Sequence, residues 1–142
     1  MANEQPLPMN SKEAIERGLA AKTIAVVGLS SDVNSPSFHI AEYLQRHGYR
    51  IIPVNPHESE ILHERAYPSL RDVPVPVDVV DIFRRADAVP GIVEDAIAIG
   101  APLVWMQLGI KNEAAAARAQ EAGITVVLDH CMRVEHRARH GG

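Results

Sequence analysis

Residues 23–47 read Thr-Ile-Ala-Val-Val-Gly-Leu-Ser-Ser-Asp-Val-Asn-Ser-Pro-Ser-Phe-His-Ile-Ala-Glu-Tyr-Leu-Gln-Arg-His. The first five are rich in β-branched side chains, Gly28 ends the run, a small polar loop follows, and apolar residues recur at helical spacing from Pro36. The stretch therefore predicts a strand, a tight turn and a helix N-terminus. Ser35 is placed to cap the helix and Pro36 occupies its first position, where a missing N–H costs nothing. A helix that begins at the carboxyl end of a first strand presents free N–H groups and a partial positive charge. The ligand expected there is a phosphate.

Outward from this stretch the pattern repeats. Ser11 can cap a short lead-in helix over Lys12–Ala20, whose Ile15 and Leu19 share a face. Tyr49–Val54 is a second strand that exits through Asn55-Pro56. Residues 57–76 form a polar connection with Pro68, Pro74 and Pro76, in which Glu60–Leu62 and Ser69–Asp72 are short strands or turns. Val77–Phe83 is a nearly continuous apolar run, the mark of a strand covered on both faces. Asp78 and Asp81 interrupt it and are expected at its ends or as acceptors of loop N–H groups. A helix follows from near Asp87 to Gly100, then a strand at Pro102–Gln107, a helix from Asn112 to Ala122, and a fifth strand at Ile124–Leu128.

Strands and helices alternating at these lengths predict βαβ units with right-handed crossovers. The expected fold is a Rossmann-like three-layer α/β sandwich around a mostly parallel five-stranded sheet. Its domain spans residues 11–136 between tails at 1–10 and 137–142. A chain of 142 residues is one domain and buries about 68–70% of its unfolded surface.

Composition excludes several functions. The net charge of −4 argues against general nucleic-acid binding, and 4% aromatic residues supply no stacking platform. No apolar run approaches the ~18 residues of a membrane span. Met1–Asn10 has no signal-peptide character, so a cytoplasmic protein is expected. The single cysteine, Cys131, permits no internal disulfide, and Asp129, His130, Cys131 and His136 match no common zinc spacing. No metal site is expected.

In such a sheet, ligands bind outside the carboxyl ends of the strands near the reversal of strand order. A nicotinamide site would need Gly-x-Gly-x-x-Gly after the first strand and an acid at the end of the second. Here the runs are Gly28-Leu-Ser-Ser-Asp-Val and Val54-Asn-Pro, which fit neither requirement. Four runs, Ile24–Ser30, Gly48–Pro56, Pro76–Arg85 and Val104–Gly109, together resemble the small stand-alone CoA-binding domain proteins. These are similar to the CoA-binding domain of the succinyl-CoA synthetase alpha subunit.

The resemblance implies coenzyme A as the cofactor. Gly28, Leu29, Ser30 and Ser37 would face its pyrophosphate and ribose. Val54, Asn55 and Pro56 would lie against its adenine end, and Ile82, Phe83 and Arg84 near its pantetheine or phosphates. The synthetase's phosphorylated histidine belongs to a further domain, so no ligase chemistry carries over. The expected function is non-catalytic binding of CoA or a short acyl-CoA, by a module that would dock to a partner protein. The alternatives are a nicotinamide-binding redox sensor or dehydrogenase, and a thiol- or acyl-transfer enzyme using Cys131. Against the last, a small residue packed after the fifth strand is the plainer account of Cys131.

Overall fold

The computed structural model describes residues 5–140. Five parallel strands form the central sheet: β1 (Thr23–Val27), β2 (Arg50–Val54), β5 (Val79–Ile82), β6 (Leu103–Met106) and β7 (Thr125–Leu128), in the order β2-β1-β5-β6-β7. The long connection after β2 contains a separate two-residue antiparallel pair, β3 (Glu60–Ile61) with β4 (Glu64–Arg65), and a 3₁₀ turn at Leu70–Asp72. The helices are α1 (Lys12–Leu19), α2 (Pro36–Arg46), α3 (Val89–Ile99), α4 (Glu113–Glu121) and α5 (Met132–His140). This is the expected Rossmann-like fold. No helix among the described residues is long and apolar enough to cross a membrane.

The period-two alternation of the strands divides the core. Ala25, Val27, Val80, Ile82, Val104 and Met106 face the α3/α4 layer. Ile24, Val26, Val79, Leu103 and Trp105 face the layer of α1, α2 and α5. Trp105 is fully buried, its Nε1 donates to the His130 carbonyl at 2.8 Å, and Gly18 of α1 lets it lie close. A Cβ on Gly18 would stand 2.7 Å from the indole, so the helix reaches the sheet only without one.

The caps follow the local sequence. Ser11, Ser35 and Asn112 each accept from the N–H three residues on, at 3.1, 3.2 and 3.0 Å. Pro90 falls in the first turn of α3, after a 3₁₀ turn at Ala86–Ala88.

The chain ends differ from the expected tails. Leu7 N–H donates to Thr125 Oγ1 at 3.1 Å, Asn10 N–H to the Val126 carbonyl at 3.2 Å, and Leu128 N–H to Asn10 Oδ1 at 2.8 Å. Residues 7–10 thus cover the edge strand β7. Residues 137–140, read as the start of a tail, are the last part of α5. Residues 1–4 and 141–142 lie outside the described residues.

Helix α5 docks through a buried histidine. His136 is 6% exposed, its Nδ1 lies 2.8 Å from the Tyr43 hydroxyl, and its ring meets those of His47, Tyr49 and His140. Burial first, then the neighbouring His140 and His47, push its pKa below the ordinary value. A histidine held neutral contributes its stability in full above its unfolded value of about 6.5, and loses it as pH falls below that. The contribution of His136 to the resistance of wild type to urea should therefore be smaller at about pH 5 than at about pH 7.5. In His136→Gln the part of that loss due to this group should disappear, as the difference between the two proteins' unfolding midpoints shrinks on acidification.

Candidate functional site

The strand order reverses between β1 and β5. The chain leaves β1 toward β2 on one side and returns to β5 on the other, so the loops after β1 and β5 diverge and open a crevice at their carboxyl ends. Gly28 forms its floor. Its φ is 90°, and a Cβ there would lie 2.6 Å from the Phe83 carbonyl oxygen and 2.8 Å from Arg84 Cδ. Both the left-handed backbone and the close approach exclude a side chain. Gly28 N–H donates to the Val54 carbonyl at 3.0 Å, and Phe83 N–H to the Val27 carbonyl at 2.8 Å, which fix the three strand ends together.

The loop after β1 is held by its own small polar residues. Ser37 Oγ, 6% exposed, accepts from Ser30 N–H at 3.0 Å, and Ser30 Oγ accepts from Asp32 N–H at 3.0 Å. Asp32 Oδ1 in turn accepts from Asn34 N–H at 2.9 Å. Among the described residues the N–H groups of Leu29, Ser31 and Ser37 have no protein partner, leaving donors at the start of α2.

The structure brings the sequence-derived candidates to this crevice but divides their roles. Leu29, Val54 and Ile82 are buried, so only their backbone can face a ligand. Asn55 uses both ends of its amide: Nδ2 donates to the Leu29 carbonyl at 2.9 Å and Oδ1 accepts from His57 N–H at 2.8 Å. It ties the end of β2 to the loop after β1. Pro56 and Arg84 are exposed and Phe83 is half-buried. Arg85 pairs with Asp87 at 3.4 Å, whereas Arg84 takes part in no ion pair among the described residues. The stem of Arg84 lies over Gly28, beside a cleft of about 140 Å³ walled by Val27, Val54, Pro56, Pro68 and Leu70.

Two larger hollows lie away from the crevice, one of about 330 Å³ at the amino ends of the strands against Lys22 and Asp78, the other of about 500 Å³ against α1 and the end of α5. Asp78 Oδ2 already accepts from Lys22 and Thr23 N–H there, each at 3.0 Å, as expected of an acid at a strand end. Strand topology and the unpartnered N–H groups favour the carboxyl-end crevice over either hollow.

Other features were not legible beforehand. Ser31 Oγ donates to Glu58 Oε2 at 2.8 Å, bridging the loops after β1 and β2. Asp129, at φ 62°, accepts from Gly109 N–H at 2.7 Å and joins the loops after β6 and β7. Val33 and Leu108, on the loops after β1 and β6, are 59% and 68% exposed.

Asp81 departs from expectation. It is fully buried inside β5 and bonds no loop N–H; instead Gln107 Nε2 donates to its Oδ1 at 2.6 Å. Burial pushes its carboxyl up to about 7, against the lowering effect of the Gln107 bond. Cys131 is 8% exposed and packs in the apolar layer that contains Trp105 and Met132. The neighbouring His130 directs Nδ1 to the Leu128 carbonyl at 2.8 Å. Among the described residues no three His, Cys, Asp or Glu side chains are grouped to hold a metal ion.

Residues 22–137 match the CoA binding domain family. The chain belongs to that family. It is 39% identical over 133 residues to the uncharacterized protein YneT of Bacillus subtilis, covering 94% of this chain and 96% of that one. It is 38% identical over 76 residues to the ADP-forming acetate–CoA ligase II of Archaeoglobus fulgidus, covering 52% of this chain and 11% of the ligase. A solved structure of a hypothetical protein from Pyrococcus horikoshii superposes with a TM-score of 0.88 at 36% identity, covering all of both chains.

The Gly28 contact makes a sharp expectation. In Gly28→Ala the positive φ and the collision with the Phe83 carbonyl should together cost about 2 kcal/mol or more. Urea unfolding checks this, and a loss below about 0.5 kcal/mol, the range of an ordinary surface change, would contradict it.

Proposed function

We propose that this member of the family binds coenzyme A, or a short acyl-CoA, across the crevice between β1 and β5, as a binding module without catalysis of its own. The observation that carries the reading is the floor at Gly28. The backbone there is pressed against the Phe83 carbonyl and covered by the Arg84 stem, close in the chain to the unpartnered N–H groups of Leu29, Ser31 and Ser37. Oriented N–H donors at a helix start suit a pyrophosphate. Arg84 adds a guanidinium without a carboxylate partner, suited to a phosphate through paired N–H bonds. A cleft of about 140 Å³ is smaller than the ~300 Å³ at which ligand pockets begin. The ligand would therefore lie across the open crevice and seat one end in the cleft. The exposed Val33 and Leu108 offer apolar contact to the less polar pantetheine arm.

Thermal unfolding with CoA, dephospho-CoA and NAD tests the assignment. CoA at about 100 times its dissociation constant should stabilise by about 2.7 kcal/mol, a rise in Tm of about 5–10 °C. Stabilisation by NAD with none by CoA would remove the reading. Arg84→Ala should weaken CoA binding by roughly tenfold to a hundredfold, the range of a charge-assisted hydrogen bond. An unchanged Kd by calorimetry would take Arg84 out of the site.

A further inference from the structure

Two buried side-chain atoms have no hydrogen-bond partner among the described residues, Asp81 Oδ2 and Gln107 Oε1, and both belong to one bonded pair. Gln107 is 2% exposed and Asp81 wholly buried, so water does not readily serve either atom. Carboxyl and primary amide are planar groups of matching width, joined here at one corner by the 2.6 Å bond from Nε2 to Oδ1. An ionised carboxylate only accepts hydrogen bonds, as does an amide oxygen, so the two orphan atoms cannot satisfy each other. A proton on Oδ2 would make it a donor, which is what Gln107 Oε1 lacks. Turning the amide over does not remove the need, because Oε1 then faces Oδ1 and the carboxyl must still supply a proton.

We propose that Asp81 is a neutral carboxylic acid in the folded protein, closing a two-bond acid–amide ring with Gln107 that locks β5 to β6 beneath the crevice and opens when the acid loses its proton.

The surroundings support a neutral group. Asp81 is in register with Val26 of β1 and Trp105 of β6. The layer over that face is built from apolar side chains of α1, α2 and α5, including Ile15, Ile40, Leu44 and Met132. Its titratable members are the Cys131 thiol, the Tyr43 and Tyr49 hydroxyls and His136. Tyr49 is bonded to the Leu19 carbonyl and Tyr43 to His136. Among the described residues no cationic side chain bonds the acid; burial raises its value and the Gln107 bond opposes that rise. The lock bears on the crevice because Gln107 N–H also donates to the Ile82 carbonyl at 3.3 Å, one residue before the Phe83 carbonyl that touches Gly28.

A carboxyl whose folded value is raised from its ordinary level to about 7 contributes stability that is full at acid pH and falls as pH rises toward that value. This is opposite to His136, so the comparison must be between proteins that share His136. Asp81→Asn keeps the ring without a titrating proton, since its Nδ2–H donates where the acid did.

The unfolding equilibrium constant of wild type relative to Asp81→Asn should rise roughly tenfold per pH unit between about pH 4.5 and 6.5. A ratio constant with pH would overturn the proposal. Wild type alone supplies a second measurement if the variant does not fold: the infrared carbonyl stretch of a protonated carboxyl should be present at about pH 6 and lost above about pH 8. Its absence at pH near 6 would overturn the proposal equally. Neither measurement contains CoA, so the outcome is independent of the ligand assignment.

Discussion

The structure depends on a backbone contact that only glycine permits, between the turn after β1 and the end of β5. At Gly28 the strand order reverses, the chain turns through φ 90°, and the Phe83 carbonyl would stand 2.6 Å from any Cβ. The same residue donates to the Val54 carbonyl, so one position touches three adjacent strand ends. Diverging loops would otherwise leave a loose gap at a reversal of this kind. Here the gap has a floor made of backbone, which brings N–H groups within reach of whatever enters.

Around that floor the polar side chains fall into two classes. Ser37, Asn55 and Asp129 are occupied within the protein: each bonds a backbone group of a neighbouring loop, between 2.7 and 3.0 Å away. They fix loop positions before any ligand arrives, which lowers the ordering cost of binding. The groups left over include the N–H donors of the loop after β1 and the start of α2 and the guanidinium of Arg84. Such donors, set in place beforehand, suit the anionic ligand proposed above.

Local chemistry made much of this legible in the sequence. The caps at Ser11, Ser35 and Asn112, the turn at Gly28 and the apolar strands depend on residues within three or four positions of one another, so patterning and propensity reveal them. The match to the CoA binding domain family spans residues 22–137, the stretch that holds all five strands of the central sheet. What patterning could not show depends on register between distant segments. The Asn55 side chain looks like part of a turn until β2 is set beside β1, where its amide meets the Leu29 carbonyl. Asp81 looks like a strand-end acid until β5 is paired with β6 and Gln107 arrives 26 residues later. Helix α5 escaped because it buries only Met132 and His136, too few apolar residues to make a stripe. Residues 7–10, Leu-Pro-Met-Asn, escaped because four residues broken by a proline show no period and gain their order from β7.

The neutral state of Asp81 also bears on how a net charge of −4 can coexist with the proposed anion site. The crevice lies at the carboxyl end of β5, and Asp81 is two residues before Phe83 on that strand. A bare carboxylate in a dry interior projects its field with little screening, and an approaching phosphate would meet that repulsion directly. Carrying the proton removes the charge, while the hydrogen bond to Gln107 keeps the group from being an unsatisfied polar atom. Among the other acids near the crevice, Asp95 is paired with Arg71 at 2.6 Å, while Asp32 and Glu58 accept only from the neutral Asn34 N–H and Ser31 hydroxyl. The ion pair weakens the local negative field while the protein as a whole stays acidic. In the proposed site the free N–H groups of Leu29, Ser31 and Ser37 and the charge of Arg84 can then act at short range, the distance over which a phosphate would be held.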